Sequence, residues 1–140
     1  MSKTKLPNYH PIEMLPTITH IINESLDNVV ELTISLKIGI EKPGALTDDI
    51  VNRAVKIFKD GQELAPVHSE QLKRWRQTDL SLMELEEVDI LQEIVDKLPD
   101  LYTEGLDIAN EVSKFTIDKI MAMDSTELAI KYLTGEMKLN

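Results

Sequence analysis

VELTISLKIGI, residues 30–40, decides the fold, because it can be read in two ways. Val30, Leu32, Ile34, Leu36, Ile38 and Ile40 alternate with Glu31, Thr33, Ser35, Lys37 and Gly39, the signature of a half-buried strand. A strand needs a partner, and no second stretch of the chain reads convincingly as one. A lone strand could pair only with its own copy in a dimer. Extending the window backwards brings in Ile18, Ile22, Leu26 and Val29, which with Leu36 and Ile40 recur at roughly helical spacing. The longer pattern favours a helix from about Ile18, capped by Thr17, to the turn signal Lys42-Pro43-Gly44. Such a helix is apolar on nearly all sides, so it is expected to sit centrally or in an oligomer interface.

Outward from that segment the chain reads as helices. Pro7, Pro11 and Pro16 discourage a helix before residue 17, leaving residues 1–13 as an extended arm and 14–140 as one helical-bundle domain. Thr47 caps a second helix, with Asp48 and Asp49 at the positive end of its dipole and Ile50, Val51, Ala54, Val55 and Phe58 as its stripe. Gly61 is expected to stop it and Pro66 to mark a connection. A short helix over 69–77 follows, placing Leu72 and Trp75 on one side.

Ser81 and Glu84 form a capping box, and Leu80 and Leu85 sit at hydrophobic-staple positions. Val88, Leu91, Ile94, Val95 and Leu98 carry that helix to Pro99, which is expected to end it. Asp100 caps a fourth helix running to about Met123. Asp124 with Glu127 opens a last one, which ends near Gly135. The expectation is an all-α bundle of about five helices, two of them short.

Composition sets limits on the chemistry. Of the 140 residues, 42% are hydrophobic and 4% aromatic, which suits helix-on-helix packing by Leu, Ile and Val. Cysteine is absent, excluding disulfides and thiolate chemistry. No signal-length apolar run follows Lys3 and Lys5, and no stretch is long and apolar enough for a bilayer, so a cytoplasmic protein is expected, with no membrane partner.

The formal net charge is −10. Asp79, Glu84, Glu86, Glu87, Asp89, Glu93, Asp96, Asp100, Glu104, Asp107 and Glu111 stand against the single base Lys97, so residues 79–111 carry the whole imbalance. Glu86, Asp89, Glu93 and Asp96 share the outer face of one expected helix. Glu104, Asp107, Glu111 and Asp118 line an edge of the next. An acidic face most simply keeps a protein soluble. It also suits a basic protein partner or a divalent cation, and it repels a nucleic-acid backbone.

Two carboxylate pairs, Glu84/Glu87 and Glu104/Asp107, fall on consecutive expected helices. Glu-x-x-Glu followed by Glu-x-x-Asp resembles the all-α nucleoside-triphosphate pyrophosphohydrolases over about 24 residues. The resemblance implies Mg²⁺ held by Glu84, Glu87, Glu104 and Asp107 against a triphosphate. Against it, Glu84 already has a place in the capping box. His10, His20 and His68 form no Glu-x-x-His or His-x-x-x-His; His20 and Glu24, one turn apart, read as a surface pair, and His68 as a loop residue at a helix start. No nucleophile motif, Walker loop or dinucleotide fingerprint occurs.

Lys73-Arg74-Trp75-Arg76 surrounds the only Trp with bases, which are expected to face water while Trp75 packs inward, or to meet the acidic segment of a second copy in a homodimer. The function that this reading favours is a non-enzymatic helical interaction protein: an assembly, adaptor or regulatory factor with an acidic surface and no cofactor. The alternatives are the Mg²⁺-dependent hydrolase and an acidic nucleic-acid mimic.

Overall fold

A computed structural model describes residues 9–123 and 125–135. Among them the chain is all-α, with three long helices: α1 (Leu15–Glu41), α2 (Asp48–Arg76) and α3 (Leu82–Val112). Two short ones follow, α4 (Ile117–Ala122) and α5 (Ser125–Leu133). Four helices thus reach nine residues or more, and α4 is a six-residue piece.

Residues 30–40 are helix. Their alternation does not follow burial: Thr33, Leu36 and Gly39 face inward, while Val30, Ile34 and Ile38 are 41%, 59% and 45% exposed. Gly39 is buried because a Cβ there would stand 2.7 Å from Val112 Cγ1 of α3. The helix begins at Leu15 with Pro16 in its first turn, where a missing N–H costs nothing. Thr17 is therefore inside the helix and does not cap it.

The expected helix boundaries at Gly61, Pro66 and Pro99 are absent. α2 runs 29 residues through the first two, and α3 runs 31 residues through the third. The segment 69–77 is the last part of α2, and His68 lies buried within that helix rather than in a loop. An interior proline costs roughly 3 kcal/mol, so packing must hold these helices together. Around Pro99 it does: Leu98, Tyr102 and Gly105 are all buried against the body.

Gly61 likewise serves packing rather than termination. The Tyr102 ring of α3 occupies the space where a Gly61 Cβ would be, and the Phe58 ring of α2 lies over Gly105, where a Cβ would come 2.8 Å from two ring carbons. The two rings sit 6.4 Å apart and tilted by 50°. Each glycine thus seats an aromatic of the opposite helix, and the reciprocal pair fixes the antiparallel register of α2 and α3.

α3, not α1, is the central element. It packs along both α1 and α2, which meet each other more sparsely. One core cluster joins Val29 and Leu36 of α1 to Val51 and Phe58 of α2 and Ala109 and Val112 of α3. A second joins Ile18 and Ile22 to Leu72 and Trp75 and to Val88, Leu91 and Val95. At the N-terminus of α3 the expected capping box forms, with Ser81 Oγ accepting from the Glu84 amide at 3.1 Å and Glu84 Oε1 accepting from the Ser81 amide at 2.8 Å.

The described part of the arm is docked. The His10 amide donates to Gln71 Oε1 at 2.7 Å, and the His10 carbonyl accepts from Gln71 Nε2 at 3.2 Å and Trp75 Nε1 at 2.8 Å. Arg74 stacks over the Tyr9 ring at 4.0 Å. At the other end Thr116 caps α4. Its hydroxyl donates to Asp48 Oδ1 at 2.7 Å, Lys119 Nζ donates to the same oxygen at 2.8 Å, and Asp118 Oδ2 accepts from the Asp48 amide at 2.6 Å. This clamp ties α4 to the start of α2. The expected cap Asp124 lies outside the described residues.

Candidate interaction surface

Because α3 is one helix, the acidic residues of its two expected halves fall into line. Glu86, Asp89, Glu93, Asp96, Asp100, Glu104, Asp107 and Glu111 follow one another at steps of three or four residues, and all eight are exposed. At 1.5 Å per residue they form a stripe about 37 Å long. Like charges at these spacings destabilise a helix on its own. Few cations offset them: Arg76 pairs with Asp89 at 2.7 Å, Lys114 with Glu111 at 3.6 Å and Lys37 with Glu104 at 4.0 Å. Glu86, Glu93, Asp96, Asp100 and Asp107 make no ion pair among the described residues.

Along the α1 side of this stripe lies apolar surface. Thr19 of α1 donates to Glu87 at 2.8 Å and Lys37 reaches Glu104, so α1 runs parallel to α3 beside the carboxylates. Val30, Ile34 and Ile38 recur every fourth residue on its outer surface. Nearer the N-termini an open groove of about 340 Å³ lies between α1 and α3, with Met83, Ile90 and Leu91 beside Glu86 and Glu87. Met83 is 80% and Ile90 60% exposed.

On the α2 side the surface is different. Pro66 and Pro99 stand at the same level of their antiparallel helices and line a cleft of about 430 Å³ with Gln62, Ala65, Val95 and Asp96. Asp96 accepts from Gln92 Nε2 at 2.8 Å, and Gln92 in turn accepts from Arg76 at 3.0 Å.

The four carboxylates proposed for Mg²⁺ do not converge. All lie on α3, not on consecutive helices, and twenty residues of helix, about 30 Å of rise, separate Glu84 from Glu104. Glu84 is committed to the capping box and Glu87 to Thr19, while Glu104 and Asp107 face solvent. No group of three or more potential ligands gathers among the described residues. His20 and Glu24 form the expected exposed pair at 2.9 Å.

The basic cluster at the end of α2 is largely engaged within the chain. Arg74 bonds Glu70 at 3.1 Å and stacks on Tyr9, Arg76 holds Asp89, and Trp75 is buried as expected.

Three titratable groups away from the stripe are perturbed, and for Tyr102 burial raises the pKa. Burial lowers the His68 pKa, and its Nε2 has no hydrogen-bond partner among the described residues. The Lys119 ammonium, then the Thr116 hydroxyl, lower the Asp48 pKa against the opposing effect of desolvation.

Family models, curated proteins and solved structures give no match to this chain. No described helix is long and apolar enough to cross a membrane.

Proposed function

We propose that this protein is a non-enzymatic interaction factor whose α3 stripe, with the apolar strip beside it, receives a basic amphipathic helix of a partner protein. One observation carries the reading: a row of eight exposed carboxylates, with the single base Lys97 at its edge, runs beside Val30, Ile34, Ile38, Met83 and Ile90, all large, apolar and exposed. A face kept acidic only for solubility needs no such strip, and an apolar patch with a charged rim is the usual form of a protein-binding site. A helix with lysines or arginines along one edge and leucines along the other would satisfy both halves at once.

A homodimer through the Lys73–Arg76 cluster is the weaker form of the same chemistry, because Arg74 and Arg76 already have partners in their own chain. A nucleic-acid mimic would use the carboxylates and leave the apolar strip without a role.

Titration with two synthetic peptides of equal positive charge tests the proposal. One is an amphipathic Lys/Leu helix and the other an oligolysine without an apolar face. The amphipathic peptide binds at least about tenfold more tightly, a difference of roughly 1.4 kcal/mol, and loses affinity as salt rises. Equal binding of both peptides would reduce the surface to a nonspecific polyanion.

A further inference from the structure

Ile50, Ile57 and Leu64 of α2 are 45%, 43% and 49% exposed, and they stand seven residues apart. Seven residues fall only about 20° short of two full turns, so the three side chains form one line about 21 Å long. Gln62 and Pro66, which line the cleft against α3, lie about 150° round the helix from it. The line shares no residue with the acidic stripe or its apolar flank. The next position in the series, Gln71, is held by the docked arm, which ends the line there.

Single exposed apolar side chains need no explanation. A row at heptad steps does, because that spacing is the seam of a paired helix. Every other exposed residue of 49–64 is polar or charged. The charges of this stretch balance: Arg53, Lys56 and Lys59 offset Asp49, Asp60 and Glu63. In a chain of net charge −10, a second copy therefore meets no net repulsion on this face. The order of the charges also suits a second copy. An antiparallel α2, related by a two-fold axis at Ile57, brings Ile50 onto the partner's Leu64 and Arg53 beside the partner's Asp60, and both contacts occur twice. Arg53 already pairs with Asp49 at 2.8 Å and Asp60 with Lys56 at 3.0 Å. Across the axis these pairs join into two rows of alternating sign. A parallel pair would set Arg53 against Arg53 and Asp60 against Asp60. A basic helix of the kind the stripe attracts finds no excess of negative charge here.

We propose that this face of α2 is a homodimer interface, in which two copies pair antiparallel with Ile57 on the axis. One helix pair is a small interface, so the dimer forms at micromolar rather than nanomolar concentration.

Sedimentation equilibrium of the full chain across the micromolar range reads monomer against dimer. Ile57→Glu removes the dimer. Arg53→Glu and Asp60→Arg each weaken it about tenfold or more, and the two together restore it to within about threefold. That restoration cannot come from within one helix, where each substitution meets a like charge one turn away, at Asp49 or Lys56. All these side chains are exposed, and thermal melting confirms that each variant folds. Because the chain has no cysteine, introduced cysteines report the register. Ile57→Cys cross-links under air oxidation. Ile50→Cys alone does not, since its two copies stand about 21 Å apart, but it cross-links when mixed with Leu64→Cys. A monomer at every concentration would overturn the proposal, as would a dimer indifferent to Ile57→Glu or cross-linking of Ile50→Cys alone. None of these residues belongs to the surface proposed for the basic helix, so the two readings fail separately.

Discussion

Gly105→Ala should destabilise the protein, although alanine is the better helix former. In an exposed helix the change gains about 1 kcal/mol. Here the added Cβ stands 2.8 Å from Cε2 and Cζ of Phe58, against the roughly 3.5–4.0 Å of an ordinary carbon contact. Phe58 is fully buried between the helices and cannot swing aside, so the strain belongs near the upper end of the roughly 1–3 kcal/mol range for overpacking. The net loss is about 2 kcal/mol, and in a chain of this size that lowers Tm by about 6 °C. Circular dichroism melts of four proteins separate the terms: wild type, Gly105→Ala, Phe58→Leu and the double variant. In the Phe58→Leu background the alanine should be neutral or stabilising, giving a coupling well above the few tenths of a kcal/mol seen for independent sites. A rise in Tm for Gly105→Ala alone would refute the argument, and with it the reciprocal seating of aromatics on glycines.

Further outcomes follow from the buried polar groups. The His68 pKa is lower in the fold than its ordinary 6.5, so the unfolded chain binds the extra proton first; stability falls as pH drops below about 6.5 and levels off beneath the folded value, and a urea series from pH 8 to 5 should lose that slope in His68→Leu. The His10 amide is protected from hydrogen exchange by Gln71, and Gln71→Leu should abolish that protection while leaving the amides of α3 unchanged. Thr116→Val keeps the buried shape but removes the bond to Asp48 and the cap on Lys119, costing about 1–2 kcal/mol and freeing the α4 amides to exchange. Asp48 has a lowered folded pKa, so its hold on Lys119 is present above about pH 3.8 and is lost as pH falls through the folded value, which side-chain NMR titration can follow.

Local grammar in the sequence predicted what depends on neighbouring residues. The Ser81–Glu84 capping box and the Thr47 cap stand where their spacing placed them, and Val51, Ala54 and Phe58 with Val88, Leu91, Val95 and Leu98 are buried as expected, whereas Val55 and Ile94 are half-buried and Ile50, expected in the first stripe, is exposed. It misled where distant packing outweighs local preference. Gly61, Pro66 and Pro99 are helix breakers by propensity, yet Tyr102, Leu98 and Gly105 hold the helices through them. The error had a consequence: dividing the acids between two helices hid a single stripe and gave the Mg²⁺ carboxylates a proximity that one continuous helix forbids. The apolar flank was concealed for another reason. Residues 30–40 are apolar on several sides, and only the position of α3 determines that Leu36 is buried while Ile34 is not. The arm's docking on Gln71 and Trp75 left no signal beyond a lone Trp near a Gln.

The most direct test of the partner surface is a double-mutant cycle for binding of the amphipathic Lys/Leu peptide, using Ile34→Asp and Asp100→Lys. Both side chains are exposed, so neither substitution should change the melting temperature by more than a degree or two. The account predicts that each weakens binding by roughly tenfold or more, and that Asp100→Lys alone flattens the salt dependence. Undiminished affinity in Ile34→Asp, with the whole loss following charge, would contradict it.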